Sequence, residues 1–355
     1  MVGIKDVEPA NIPVIDFRIL SAGTPQERKD ALEQLDDALK SYGFVYLSNH
    51  SVGQAMVDEA MSWSRRFFSL PINVKKMIAH PRKASDHRGY VSAGTGIVTQ
   101  GIWDPTEIEK LRETAPIEQM ENLETGNPYL STDPNDTRVA RNRLLPEEIF
   151  PGFQSFHQKW WDVCIDQELQ ILRFLCEILG IPDLDYLGKQ QTPEINCSQF
   201  GWNHYLSTPL LSLQTGSNRL NTHTDFGQLT LLFQDMVGGL ESHDHDAGIF
   251  RPVLPKPGTM IVQVGDMLEK QSNGRWRSAL HHVTAPRHLK YGSAASEDTV
   301  TDRYSIGFFV HPDYETAMDP LPGCDKKGKW SSLEWHGEKT AGEWLMKRVA
   351  LEYEY

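Results

Sequence analysis

From about Ile195 onward the chain becomes a series of short β-type runs separated by turns. These run from Asn196 to Leu206, Leu229 to Gln234, Phe250 to Val253, Thr259 to Val264, Trp276 to Val283 and Arg303 to Val310. Several short strands at regular spacing close into a sandwich or a jelly roll. Ser272-Asn273-Gly274, just ahead of the Trp276 run, reads as a hairpin turn, because Asn-Gly suits type I′ geometry.

The N-terminal half is different in kind. Ile12 to Phe17 and Phe44 to Leu47 read as strands. Thr24-Pro25-Gln26-Glu27 is a helix start, with Thr as N-cap, Pro at the first helical position and Glu three on from the cap. Gly43 ends that helix, and a second runs from about Ser51 to Phe68. Residues from about 80 to 145 are polar and weakly periodic, and 100–145 reads as a loop and a lid candidate. A long helical pattern then fills Gly152 to Leu179, roughly 42 Å at 1.5 Å per residue, with Trp160 and Trp161 read as core. The tail from Thr340 is helical again. The expected organisation is 1–150 as a helical and strand region with the lid, and 151–355 as the long helix plus the β domain, the two forming one catalytic unit.

Composition removes several functional classes. Lys plus Arg is 35 and Asp plus Glu 48, a net charge of −13, with no basic stripe. Such a chain is a poor partner for nucleic acid. No apolar run is long enough to span a membrane, and the N-terminus has no apolar signal region. Cys164, Cys176, Cys197 and Cys324 are scattered, with no CxxC, so reduced thiols in a cytoplasmic setting are expected. Oligomeric state is not legible.

Three patterns in the β half carry chemistry. In His223-Thr224-Asp225, residues i and i+2 of an extended chain face the same way, so an imidazole and a carboxylate converge. His281 follows in a later run, and His282 faces the opposite side. Arg303-Tyr304-Ser305 is a second i, i+2 pair. Two histidines and one carboxylate on one face of a metal form the facial triad of non-haem Fe(II) oxygenases, with positions open for a 2-oxoacid and dioxygen. A guanidinium and a hydroxyl facing together suit the far carboxylate of that dianion. His243-Asp244-His245-Asp246 reads as a solvated acidic loop rather than a metal site. Arg303, Ser305, Gly307 and Phe309 share a phase, so Phe309 either looks into the cavity or packs in the barrel. Tyr90, in Arg88-Gly89-Tyr90, is a second candidate substrate contact.

At these residues the chain resembles the Fe(II)- and 2-oxoglutarate-dependent oxygenase superfamily, in the branch of isopenicillin N synthase and the plant flavonoid oxygenases. The likeness covers most of the chain. It is carried by IPVIDF, YGFVYLSNHSV, FFSLP, THTDFGQLTLLFQD, VGGLE, KPGTMIVQVGDMLEKQSNGRWRSALHHVTAP and DRYSIGFFV. The resemblance implies a double-stranded β-helix, a mainly β jelly roll braced by the long helix. It implies His223, Asp225 and His281 as iron ligands. It implies Arg303 and Ser305, with Tyr205 and Asn203 of Asn203-His204-Tyr205, as the grip on 2-oxoglutarate. His282 stands where the family usually has Arg, which puts the local pairing in doubt.

Further segments, among them VEPANIPVIDF, CEILGIPDLDYLGK and KWSSLEW, are similar to fungal enzymes of specialised metabolism of the loline synthase type. That resemblance implies hydrogen abstraction from an unactivated C–H of a small amino-acid-derived or alkaloid substrate, ending in ring closure or hydroxylation. Two other readings stay open. One is an oxidase of the isopenicillin synthase type that consumes no 2-oxoacid. The other is a non-catalytic jelly-roll binding protein.

Overall fold

The computed structural model describes residues 7–81, 86–94, 105–114, 117–130, 140–215, 217–286, 299–325 and 338–353. Eight strands form a large sheet. In spatial order they are Val14–Asp16, Phe44–Ser48, Thr259–Val264, Leu229–Gln234, Arg303–Val310, Gln199–Tyr205, Met120–Gly126 and Gly89–Val91. Four more, Ile249–Pro252, Leu240–Asp244, His281–Val283 and Leu220–His223, form a second sheet. All pairings in the large sheet are antiparallel except that of Val14–Asp16 with Phe44–Ser48. Both halves of the chain therefore contribute strands to one sheet.

Period-two alternation sorts the side chains of that sheet. Val45, Leu47, Leu229, Leu231, Phe233, Met260, Val262, Phe200, Trp202, Ile306 and Phe308 belong to one apolar core. That core includes the 27-residue helix Phe153–Leu179. Trp160 lies 5.0 Å from Phe233 and Trp161 5.5 Å from Phe308, ring centre to ring centre. The helix thus covers the outer face of the sheet. The intervening residues point inward: Tyr46, Leu232 and Ile261 meet Leu240 and Val283 of the second sheet in a separate apolar cluster. This is a jelly roll with helices on one side, the expected mainly β class.

The helix signals act as read. Thr24 and Glu27 form a reciprocal capping box at the start of Pro25–Ser41. Gly43 follows in the left-handed region, φ 67°, where a side chain would strike the carbonyl oxygen of Arg277. Asp36 of the same helix is a hub. Its carboxylate accepts from Arg275 Nη2 at 2.7 Å, Trp276 Nε1 at 2.9 Å and Lys40 Nζ at 2.5 Å. It fastens the N-terminal helix to the segment that leads into His281. The four cysteines are free and buried, and among the described residues no helix is long and apolar enough to cross a membrane.

Three expectations need correction. Ser272-Asn273-Gly274 makes no hairpin. Asn273 and Gly274 do adopt positive φ, but they close the short helix Asp266–Gln271, with Gly274 N–H donating to Glu269 O. The Trp276–Val283 run is a strand only over His281–Val283, because Trp276 and Ser278 are tied by side chain to Asp36 and Asp266 instead of joining a ladder. The 100–145 stretch is not simply a loop. Pro105–Thr114 is a helix and Met120–Gly126 is a strand inside the large sheet. Residues 100–104, 115–116 and 131–139 of the lid candidate lie outside the described residues, as does 326–337, which holds KWSSLEW.

The Asp36 hub generates a stability prediction. Burial pushes its carboxyl up, but hydrogen bonds from Lys40, Arg275 and Trp276 outweigh this and hold it below its ordinary value near 3.8. Its contribution is therefore present above that value and lost as pH falls through the lower folded one. Asp36→Asn should cost about 3 kcal/mol at neutral pH and flatten the acid limb of the stability curve. Chemical denaturation from neutral to acid pH reads both effects; an unchanged midpoint would refute the role.

Candidate functional site

Three side chains converge where the second sheet meets the end of the Leu229–Gln234 strand. His223 ends one strand and His281 begins its antiparallel neighbour, and the two are directly paired in register. Asp225 follows His223 just beyond the strand end. One ligand atom from each of His223, Asp225 and His281 lies within 4.8 Å of the others. Asp225 Oδ1 stands 3.5 Å from His223 Nε2 and 3.6 Å from His281 Nε2.

The surroundings fix which atoms face each other. His223 Nδ1 is hydrogen bonded to the carbonyl of Asn221 at 2.9 Å and His281 Nδ1 to that of Ala279 at 3.0 Å. A carbonyl only accepts, so each ring carries its proton on Nδ1 and presents the Nε2 lone pair inward. Asp225 Oδ2 accepts from Thr230 Oγ1 at 2.5 Å and Gln263 Nε2 at 2.8 Å, which leaves Oδ1 for the cluster. Thr230 and Gln263 are inward-facing members of the two adjacent strands of the large sheet.

Burial pushes the Asp225 carboxyl up, but the positive character of His281 and His223 and the bonds from His223 and Thr230 hold it well below the usual carboxylate range. Burial would lower His223, yet the hydrogen bond and charge of Asp225 raise it above its ordinary value. His281 is pushed down to about 4 by burial and by His223. Beyond the Nδ1 protons, a further proton is thus favoured on His223 Nε2 and disfavoured on His281 Nε2. A divalent cation would displace that proton and meet two imidazole nitrogens and one carboxylate oxygen, a donor set suited to iron(II).

A cavity of about 120 Å³ opens on this cluster, lined by His223, Thr224, Asp225 and Phe226 and by inward residues of the large sheet. Asn203 and Phe309 are among these, so the structure gives Phe309 the cavity position. Room for its ring comes from two glycines: a side chain at Gly201 would meet Phe309 at 2.9 Å and one at Gly307 at 3.2 Å. Met120, Asn122 and Glu124, on the strand inside the lid candidate, form the opposite wall. A larger groove, about 520 Å³, lies between the Pro25–Ser41 helix and Glu177, away from the cluster.

The second pattern assembles nearby. Arg303 is 1% exposed, with Nη1 3.4 Å from Ser305 Oγ and Nη2 donating to Gln234 Oε1 at 2.9 Å. Tyr205 OH lies 3.4 Å from Ser305 Oγ, and the Arg303 guanidinium carbon sits 4.5 Å from the Tyr205 ring centre. Arg303 and Tyr205 are paired residues of adjacent strands, as are Ser305 and Asn203. Arg303 Nε has no partner among the described residues. A buried guanidinium without a carboxylate partner is a place for an anion.

Other readings meet different fates. Tyr90 is turned the other way: it is 3% exposed, packs on Phe67 and donates its hydroxyl to Glu121 on the outer face, while its neighbour Val91 lines the cavity. Alternation along Gly89–Val91 is the reason. His282 does face away from His281, and its Nε2 pairs with Glu241 at 3.0 Å. In the His243 to Asp246 stretch, Asp244 is committed to Arg251 at 2.6 Å, and His245 and Asp246 are exposed in a turn. Thr230, Gln263 and Gln234 escaped sequence reading, although a single polar residue inside Leu229-Thr230-Leu231-Leu232-Phe233 does mark an inward position.

Comparison with known proteins gives the same picture over nearly the whole chain. Residues 12–148 match the family described as non-haem dioxygenase in morphine synthesis N-terminal, and residues 199–312 match the 2OG-Fe(II) oxygenase superfamily. The 2-oxoglutarate-dependent dioxygenases lolO1 and lolO2 of Epichloe uncinata are 50% and 49% identical over 353 residues, covering 99% of this chain and 96% of each relative. A full-length Neurospora crassa protein, solved by crystallography in complex with alpha-KG and thymine, aligns over 98% of both chains, with 27% identity and a TM-score of 0.80. With half of its residues shared with such relatives from end to end, and a fold that superposes on the solved Neurospora crassa structure, the chain belongs to the 2OG-Fe(II) oxygenase superfamily and is a non-haem iron, 2-oxoglutarate-dependent dioxygenase.

Proposed function

We propose that this dioxygenase oxidises an unactivated C–H of a small amino-acid-derived or alkaloid substrate in fungal specialised metabolism, by ring closure or hydroxylation. The observation that carries the reading is the His223, Asp225 and His281 cluster, with its Nε2 and Oδ1 atoms turned together at the cavity. The likeness to lolO1 and lolO2 supports the specialised-metabolism setting.

Each residue has a physical task. His223, Asp225 and His281 hold Fe(II), Thr230 and Gln263 keep Asp225 oriented, and the Asn221 and Ala279 carbonyls keep both rings in the metal-binding tautomer. Arg303 and Ser305 receive the far carboxylate of 2-oxoglutarate, with Tyr205 and Asn203 beside them. Iron bound there supplies the redox chemistry, in which dioxygen is consumed, 2-oxoglutarate loses carbon dioxide to become succinate, and the substrate C–H is oxidised. Phe309 and the apolar wall position the substrate carbon and limit access of water.

Four outcomes test this. Succinate should form in step with substrate oxidation when the Fe(II)-loaded protein is screened against small amino acids and alkaloid precursors. His223→Ala should reduce that to background; substrate oxidation without loss of 2-oxoglutarate would instead favour an oxidase. Arg303→Lys, which gives up the planar fork, should raise KM for 2-oxoglutarate roughly tenfold or more, and an unchanged KM would place the carboxylate elsewhere. Metal retention should also depend on pH. His223 holds its proton above the ordinary 6.5, so metal measured after equilibrium dialysis should fall as pH drops through that raised value and stay constant above it.

A further inference from the structure

Glu118 is a cavity carboxylate that neither the iron cluster nor the 2-oxoglutarate grip uses. It is 5% exposed, stands at the end of the strand Ile117–Glu118 and lines the cavity beside Leu220 and His223. It accepts a hydrogen bond from Asn221 N at 3.0 Å, and among the described residues no lysine or arginine lies within ion-pair distance of it. Its buried neighbours are treated differently. Glu121 is bound by Lys75 at 2.7 Å and His204 at 2.8 Å, and Glu124 lies 3.7 Å from His80. The two charges of Fe(II) are met by Asp225 and by the 2-oxoglutarate dianion, itself balanced by Arg303. None remains for Glu118.

His311 is 2% exposed and lines the cavity, and its Nδ1 has no hydrogen-bond partner among the described residues. Burial and the nearby Arg88 keep that ring neutral. Burial pushes the Glu118 carboxyl up to about 7 against the bonds from Asn221, so ionising it is costly unless a ligand brings a cationic N–H to it. Around them Val91, Met120, Leu220 and Phe309 make an apolar wall.

We infer that Glu118 receives a protonated amine nitrogen of the substrate, so that the substrate class is a small, largely apolar amine carried as a cation. This rests on the oxygenase reading above and narrows its substrate to skeletons with a basic nitrogen. A protonated amine gives Glu118 a charge-assisted hydrogen bond and fixes the distance from the nitrogen to the carbon presented at the iron cluster. Orientation by one ion pair and one apolar wall is enough to select a single C–H on a small ring.

The test compares N-methylpyrrolidine, a cation at neutral pH, with its neutral lactam N-methylpyrrolidone. Both are titrated calorimetrically, under nitrogen, into protein loaded with Fe(II) and 2-oxoglutarate. Wild type should prefer the cation by about tenfold or more. Glu118→Gln should lose that preference while its affinity for the lactam changes less than about twofold, and Glu118→Asp should restore part of the preference. Equal affinity for both probes in wild type, or a preference that survives in Glu118→Gln, would overturn the assignment. Should the Gln variant fail to fold, the wild-type ratio alone decides. Slow succinate formation by wild type without any amine reports the oxygenase reading separately, so the two can fail independently.

Discussion

The packing of the Phe153–Leu179 helix on the large sheet is the contact on which the site depends. It buries the apolar half of every central strand, through Trp160 and Trp161 against Phe200, Phe233 and Phe308. Alternation then turns the other half inward, and it is this half that carries Thr230, Gln234, Gln263, Asn203, Tyr205, Arg303 and Ser305. A one-residue slip of any of these strands would exchange the two sets. The outer core therefore sets the register of the inner site, and the polar groups are held in phase by burial elsewhere. The inner face is not uniform. Leu232, Ile261 and Tyr46 close one region against the second sheet, while the cavity keeps the rest.

The division of labour between charges follows from that geometry. A chain of net charge −13 concentrates carboxylates near the His223, Asp225 and His281 cluster and, as a 2-oxoglutarate-dependent enzyme, must still admit a dianion. Arg303 is the local exception, buried between Gln234, Ser305 and Tyr205. On the outer face Glu121 is neutralised by Lys75 and His204, and Asp36 by Lys40 and Arg275. These buried carboxylates each meet a cationic side chain, and the cavity carboxylate Glu118, which has no lysine or arginine partner among the described residues, becomes informative.

Much of this was legible in the chain itself, and the exceptions have physical causes. His223-Thr224-Asp225 and Arg303-Tyr304-Ser305 could be read because an extended backbone makes i and i+2 neighbours on one face, whereas Asn203 and Tyr205 came only from the family resemblance. Their convergence with His281 needed a long-range pairing that spacing only suggested and the strand register supplies. Met120–Gly126 was hidden because its outward residue Glu121 is charged; Lys75, His204 and Tyr90 stand in for apolar neighbours there. Asn273-Gly274 carried the right backbone angles for a hairpin, but the same angles also end a helix. Glu118 gave no signal, because a lone glutamate before Gln119 and Met120 reads as surface until the fold encloses it.

We propose that one fold-imposed cluster holds the iron beside an arginine-bound 2-oxoglutarate. The most direct measurement is a crystal structure of the Fe(II) and 2-oxoglutarate complex grown under nitrogen, with anomalous diffraction at the iron edge. The expected result is one strong peak bonded to His223 Nε2, Asp225 Oδ1 and His281 Nε2, with the far carboxylate of 2-oxoglutarate on Arg303 and Ser305. A peak at other residues, or a co-substrate whose far carboxylate leaves Arg303 untouched, would contradict it.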